Sequence, residues 1–159
     1  MADIRTRKWI DRMTDMANTI ASWSKDVTQV GCVVVNDDCE ILASGYNGFP
    51  RGVRDDIPER AQRPLKYQYV AHAEVNAVFF ASRHHVSLRG STLVLSNLYG
   101  HVTMPCSNCA IAIIQAGIRR VICETPRDDS SWAKSFEVTL SMLKEAGIEV
   151  ILRDTLTEE

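Results

Sequence analysis

The sequence lacks any long apolar run. No stretch of its 159 residues approaches the roughly 18 apolar residues that a membrane-spanning helix needs. The N-terminus, MADIRTRKWIDRM, has charges throughout and no apolar segment, which is not the pattern of a secretory signal. We therefore expect a cytoplasmic protein with no membrane partner.

An excess of positive charge is also missing. Eighteen Lys and Arg residues face twenty Asp and Glu residues, so the net charge is −2. Proteins that bind long nucleic acids present a broad basic surface, and we do not expect that class of partner here. A single small anion remains compatible with a local cation cluster. The length and the ordinary apolar content, 45%, predict one domain over residues 1–159.

The chain has only five cysteines, and the number is odd. In a reducing compartment such a set favours free thiols and a metal over a disulfide framework.

Hydrophobic periodicity predicts a mixed α/β fold. The first two strands should form a hairpin, and the last three, which alternate with helices, should be parallel and covered on both faces. Helices are predicted over 4–22, 72–84, 106–116 and 131–146, and strands over 30–36, 41–46, 91–96, 120–124 and 148–152. Residues 47–67 lose all periodicity and carry five cations against three acids, which predicts a long loop, functional or disordered.

Two short motifs begin predicted helices. In HAEVNA, His72 and Glu74 are two residues apart; in MPCSNC, Cys106 and Cys109 are three apart and share one side of a helix. Two thiolates and an imidazole select zinc, and three ligands leave a fourth position open, as in catalytic sites. Glu74 is then placed to carry a proton between water and substrate.

Each motif alone has a plainer interpretation. A lone C-x-x-C is often structural zinc or a redox pair, and a lone H-x-E indicates little. Together and in this order they form the established H-x-E…P-C-x-x-C signature of zinc deaminases. A structural zinc would need a fourth ligand, for which His101 and Cys123 are the candidates.

Most of the chain, from about residue 29 to 150, resembles the cytidine and deoxycytidylate deaminase family. The resemblance rests on QVGCVVVN (29–36), GYNGFPRG (45–52), HAEVNA (72–77), PCSNCA (105–110), IQAGI (114–118) and AGIEV (146–150). It implies a three-layer α/β/α cytidine-deaminase-like fold, with a five-stranded mixed sheet whose last two strands are parallel. That arrangement is typical of the branches that act on nucleotides and nucleic acids rather than on free cytidine.

GYNGFPRG and Asn76 indicate the deoxycytidylate branch. The resemblance therefore implies hydrolysis of dCMP to dUMP and ammonia, with zinc held by His72, Cys106 and Cys109 and with Glu74 moving protons at N3. Asn47 matches the position that hydrogen-bonds the sugar; without the resemblance it would be a turn residue. Asn76 is likewise a candidate substrate-binding residue, with a hydrogen bond within its helix as the plainer alternative.

A monophosphate substrate needs an anion site. Lys25, Arg51 and Arg54 are candidates as charge-assisted donors, although each is also explained as a solvated surface charge. Trp132 is a candidate wall of the base pocket, or else a core or subunit-contact residue.

The chain departs from the family pattern at residues 97–104. These extra residues precede Pro105 beside the predicted zinc site, so they bear on the shape of the pocket and on the substrate. Alternatives that share the zinc chemistry are dCTP, a modified dCMP or a base in RNA. A nucleotide-binding protein with structural zinc is the non-enzymatic alternative. The resemblance further implies a homo-oligomer, hexameric in many members, with dCTP and dTTP as effectors.

Overall fold

A five-stranded mixed sheet forms the centre of the structure, a computed structural model that describes residues 1–102, 104–127 and 131–157. The strands are β1 (Gly31–Val35), β2 (Ile41–Tyr46), β3 (Thr92–Leu95), β4 (Arg120–Cys123) and β5 (Glu149–Leu152). Their order is β2-β1-β3-β4-β5. β1 is antiparallel to β2 and β3, whereas β3, β4 and β5 are parallel. The predicted hairpin and the parallel last strands are confirmed.

The central strands are buried on both faces. Every residue of β1, β3 and β4 is buried, which explains their continuous apolar and β-branched sequences. Successive side chains alternate between two cores. Cys32 and Val34 of β1 belong to one core, and Val33 and Val35 belong to the other. Cys32 is fully buried and packs as a small apolar residue.

Helices cover both faces and complete three layers. They are α1 (Arg7–Ala21), α2 (Lys66–Tyr69), α3 (Ala73–Arg83), α4 (Ser107–Gln115) and α5 (Ala133–Glu145). The apolar stripe of α1, which includes Ile10 and Ala17, packs on one face with Val33 and Val35. Residues of α3, α4 and α5, such as Ala77, Ile113 and Phe136, build the other core. The predicted α/β/α fold is therefore confirmed.

One glycine determines how closely α3 approaches the sheet. A Cβ added to Gly45 in β2 would lie 2.3 Å from the Ala73 carbonyl oxygen and 2.5 Å from the Ala77 nitrogen. Only a residue without a side chain permits this contact. Because His72 and Glu74 lie at the start of α3, Gly45 helps to fix the position of both.

The predicted long loop contains short structured pieces. A 3-10 helix covers Pro58–Ala61, and α2 follows. Periodicity gives no signal for helices of one turn, since they are too short to show a repeat. The two ends of the loop are tied by an antiparallel bridge, in which Gly48 donates to the Ala71 oxygen at 3.1 Å and Ala71 donates to the Gly48 oxygen at 2.9 Å.

The extra segment at 97–104 is anchored at its first residue. The Asn97 backbone N–H donates to Asn18 Oδ1 at 2.9 Å, and Asn18 Nδ2 donates to Asn97 Oδ1 at 2.9 Å. Asn97 Nδ2 also donates to Glu124 Oε1 at 2.8 Å. A 3-10 turn at Leu98–Gly100 follows. Thr103 lies outside the described residues. Across the described part of the chain, none of the helices combines the length and the apolar character that a membrane span requires.

Candidate metal centre

Two helix starts meet at the candidate metal centre. His72 directly precedes α3, Cys106 directly precedes α4, and Cys109 lies in the first turn of α4. His72 Nδ1 lies 3.4 Å from Cys106 Sγ and 3.4 Å from Cys109 Sγ. Tetrahedral zinc, with bonds of about 2.0 Å to nitrogen and about 2.3 Å to sulfur, needs a separation of about 3.5 Å between these atoms. Both nitrogen–sulfur separations therefore match a shared zinc ion, and all three ligand atoms lie within 4.8 Å of one another.

The electrostatics of the trio suit a cation. A hydrogen bond from the Cys109 thiol, together with one from His72, lowers the pKa of Cys106 to about 4. The pKa of the Cys109 thiol is raised by its hydrogen bond with Cys106 and by its burial. The same Cys106 contact raises the pKa of His72. One thiolate is thus already favoured at neutral pH, and a metal completes the deprotonation of the other.

Glu74 lies beside this trio and is not one of its ligands. Its side chain is buried, and Oε2 lies 3.4 Å from Cys109 Sγ. Burial is the largest influence on the carboxyl and raises its pKa. Among the described residues, the metal-suited group contains only His72, Cys106 and Cys109. A carboxyl that is buried next to a metal site and holds a proton readily is suited to general acid–base catalysis.

The trio opens into a cavity of about 330 Å³. His72, Glu74 and Cys106 form part of its wall, and Asn47 and Trp132 lie on the wall as well. The Trp132 ring meets the His72 ring edge-on, with centroids 6.1 Å apart. The size and the mixture of apolar and polar walls are typical of small-molecule sites.

The two predicted asparagines have different positions. Asn47 is buried in the cavity wall, where Oδ1 accepts from the Val30 N–H at 2.9 Å and Nδ2 donates to the Thr28 oxygen at 2.8 Å. Asn76 is not among the lining residues. Its Nδ2 donates to the Tyr46 oxygen at 2.8 Å, so its partner lies in β2 rather than in its own helix.

The three predicted anion-binding cations lie elsewhere. Lys25 pairs with Asp55 at 2.8 Å, Arg54 pairs with Asp56 at 3.0 Å, and Arg51 is exposed. None of the three is among the described residues that line this cavity. Its cations are instead Arg63, Lys66 and Arg127. The cation excess of the 47–67 loop was the available signal for the first two, but the sequence did not show which cations face inward.

The two candidates for a fourth ligand do not join the trio. Cys123 lies in β4 with no exposed surface, and burial raises the pKa of its thiol to about 12, as expected of a core cysteine. His101 lines the cavity without entering the metal-suited group of described residues. A zinc ion held by the trio would therefore have no fourth ligand among the described side chains.

Comparison with known proteins agrees with this site. A family model, the cytidine and deoxycytidylate deaminase zinc-binding region, matches residues 7–125. The chain belongs to the cytidine and deoxycytidylate deaminase family. It is therefore a zinc-dependent hydrolytic deaminase, as the two motifs predicted. This finding disfavours the non-enzymatic alternative.

Several relatives resemble most of the chain. An Aliivibrio fischeri protein, described as an uncharacterized deaminase in the luxG 3′ region, is 39% identical over 146 residues, which cover 90% of this chain and 92% of that protein. The deoxycytidylate deaminase of Mus musculus is 37% identical over 134 residues, with coverage of 77% and 71%. A crystal structure of the cyanophage S-TIM5 dCMP deaminase with dCMP and dUMP has a TM-score of 0.71 and 25% identity, and the match covers 92% and 98% of the two chains.

Proposed function

We propose that this chain, as one deaminase domain over residues 1–159, converts dCMP and water into dUMP and ammonia. The observation that carries the proposal is a buried carboxyl, Glu74, beside a three-ligand metal group that opens into a cavity. The identity of the substrate draws support from the murine deoxycytidylate deaminase and from the phage enzyme that binds dCMP and dUMP.

His72, Cys106 and Cys109 would hold the zinc. When bound, zinc supplies Lewis-acid activation of a water for attack on C4 of the cytosine ring. The chain contributes by holding the three ligands at the starts of two packed helices, where Gly45 and the core fix the approach of α3. Trp132 beside His72 forms the wall against which the base would lie.

Glu74 is the proton carrier in this proposal. It accepts a proton from the attacking water and passes it to N3 of the ring. A second transfer through Glu74 moves the proton of the new C4 hydroxyl to the amino group, which leaves as ammonia while C4 becomes a carbonyl. Its raised pKa suits both the protonated and the ionised state.

Asn47 and Asn76 have supporting roles. We propose that Asn47 hydrogen-bonds the sugar; its position in the cavity wall and the bonding capacity that its amide keeps beyond two backbone contacts support this role. Asn76 positions Glu74 indirectly, since its bond to Tyr46 fixes the first turn of α3 against β2. The anion-binding role of Lys25, Arg51 and Arg54 stays a prediction.

The proposal is tested with Glu74→Gln. We expect this variant to keep one zinc per chain and to lose turnover by at least about 100-fold, the usual scale of a general acid–base residue. Ammonia release is measured with dCMP, dCTP, deoxycytidine and CMP in parallel. Glu59→Gln, in the exposed part of the loop, is the matched control and should match the wild type. Full activity of Glu74→Gln would refute the proton-carrier role, and turnover of another nucleotide alone would refute the substrate.

We further propose that the chain self-associates and works in the cytoplasm. Phe79 on α3 and Ile111 on α4 are large apolar side chains with exposed fractions of 63% and 51%, and the two helices contact each other. The five cysteines are free, which suits a reducing compartment. Phe79→Ser with Ile111→Ser should reduce the sedimentation mass of the assembly, hexameric in the expected case; an unchanged mass would place the interface elsewhere.

The expected effectors, dCTP and dTTP, are proposed to bind a second cavity of about 240 Å³. Its wall includes Lys25 and the aromatic rings of Trp23, Tyr46 and Phe49, which suit a base. Lys25 pairs with Asp55 of the same wall at 2.8 Å, so an effector phosphate would have to displace that carboxylate. Lys25→Gln should abolish any response of the dCMP saturation curve to dTTP.

A further inference from the structure

The extra segment at 97–104 lines the cavity together with an arginine from a distant part of the chain. Gly100, His101, Val102 and Met104 contribute to the wall, and so does Arg127, which follows β4. No local sequence pattern connects these residues. Their meeting in space raises the question of what the segment and Arg127 do together.

The end of the Arg127 side chain lies next to Gly100. A Cβ on Gly100 would lie 2.7 Å from Arg127 Nη2, so any side chain at position 100 would require the flexible guanidinium to shift. Gly100 also has a φ of +62°, which favours glycine. The Arg127 guanidinium therefore lies next to the Gly100 backbone, and the turn at Leu98–Gly100 limits the positions that it can take.

The turn is anchored at the residue that precedes it, Asn97. Asn97 is bonded to Asn18 of α1 and to Glu124 at the end of β4. Glu124 Oε1 in turn accepts from Arg153 Nε at 3.2 Å, and the Arg153 side chain is buried. A polar network that extends from α1 across the ends of β4 and β5 thus fixes the segment on which Arg127 rests.

Two arginines in the cavity wall, Arg63 and Arg127, are available to bind an anionic ligand. Lys66 is neutralised by Asp26 at 2.6 Å, and both side chains are largely buried. Arg63 lies over the Tyr67 ring at 5.6 Å. Within residues 1–102, 104–127 and 131–157, neither Arg63 nor Arg127 forms an ion pair with an acidic side chain. Guanidinium groups bind phosphate oxygens in pairs of parallel hydrogen bonds.

We propose that Arg127 is the specificity-determining residue that binds the 5′-phosphate of a nucleoside monophosphate, and that Gly100 is the residue that positions it. The inference rests on the proposed deamination, because the same cavity must hold the base at Glu74. The extra segment then acts as a support for a phosphate-binding arginine, and Arg63 is the second donor.

The test measures equilibrium binding, so that it does not depend on turnover. Isothermal titration calorimetry gives the Kd of dUMP and of deoxyuridine for zinc-loaded wild type and for Arg127→Gln. We expect the variant to bind dUMP about 10- to 100-fold more weakly, the usual range for a lost charged hydrogen bond, and deoxyuridine unchanged. Arg83→Gln, an exposed arginine at the end of α3 that does not line the cavity, is the matched control and should bind both ligands like the wild type.

Gly100→Ala tests the positioning role. Its added methyl group would displace the Arg127 guanidinium, so we expect weaker dUMP binding in the wild-type background and no further loss in Arg127→Gln. Additive losses would refute positioning. A wild-type level of dUMP binding in Arg127→Gln, or an equal loss for deoxyuridine, would overturn the phosphate assignment. Preferential dUMP binding without any dCMP turnover would support the phosphate site while refuting the proposed reaction.

Discussion

At the scale of single residues, one buried cation depends on a partially exposed acid. The Arg120 side chain is 2% exposed and donates to Glu149 Oε2 at 2.7 Å and to Thr92 Oγ1 at 2.9 Å. Glu149, which is 45% exposed, also pairs with Arg5 at 3.2 Å. Arg120, followed by Arg5, lowers the pKa of the Glu149 carboxyl. The ionised carboxylate is therefore stabilised in the folded state more than in the unfolded state.

This linkage predicts how stability depends on pH. Since the folded pKa of Glu149 lies below the unfolded value of about 4.3, its contribution is complete above that value and is lost as pH falls through the folded pKa. Solvent screening at Glu149 limits the contribution to about 1 kcal/mol. We expect Glu149→Gln to destabilise the protein at pH 7 and to flatten the decline of Tm below pH 5. Glu59→Gln is the control, and identical Tm profiles of Glu149→Gln and wild type would contradict the prediction.

At the scale of elements, the contact of α3 with β2 controls the metal centre. Gly45→Ala would force the start of α3 away from the sheet, because the obstructing atoms are backbone. We expect a loss of about 1 to 3 kcal/mol in unfolding free energy, together with weaker zinc binding. Urea denaturation and a competitive zinc titration measure the two effects.

Gly48→Ala is the matched control for this change. It lies three residues further on, and a Cβ there would meet nothing within 4 Å. Both of its measured quantities should remain near those of the wild type. Equal effects of the two substitutions would show that the α3 contact does not position the zinc ligands.

The sequence predicted elements better than it predicted loop geometry. Strands such as β1 are continuous β-branched runs, helices such as α1 show a regular apolar repeat, and the zinc ligands lie directly at helix starts, so local pattern was sufficient. The cavity cations were not predictable in this way. The positions of Arg63 and Lys66 depend on the Gly48–Ala71 bridge and on the Asp26–Lys66 pair, which join residues far apart in sequence. The partner of Asn76 was similarly hidden, because it belongs to another strand.

At the scale of the whole molecule, zinc would connect two helices that the chain separates by a strand. His72 precedes α3 and Cys106 precedes α4, with β3 between them. A ligand that binds only the folded state stabilises that state in proportion to its affinity. We expect a strong chelator to lower the Tm of the wild type and to leave that of His72→Ala unchanged.

The zinc content of two variants distinguishes a three-ligand site from a structural site with four protein ligands. His101→Ala and Cys123→Ala should keep the wild-type zinc stoichiometry, since neither side chain belongs to the metal-suited group of described residues. Loss of zinc from either variant would identify a fourth ligand and contradict the open site.

The bridge between Gly48 and Ala71 has a consequence for the evolution of this protein. Its two hydrogen bonds hold the ends of the loop at residues 49–70 together. Asn47 directly precedes Gly48, and His72 directly follows Ala71. Changes in the length or sequence of a surface loop are tolerated when its ends stay in place. Substrate preference can therefore diverge through this loop, which supplies Arg63 and Lys66, while the inherited zinc chemistry stays intact.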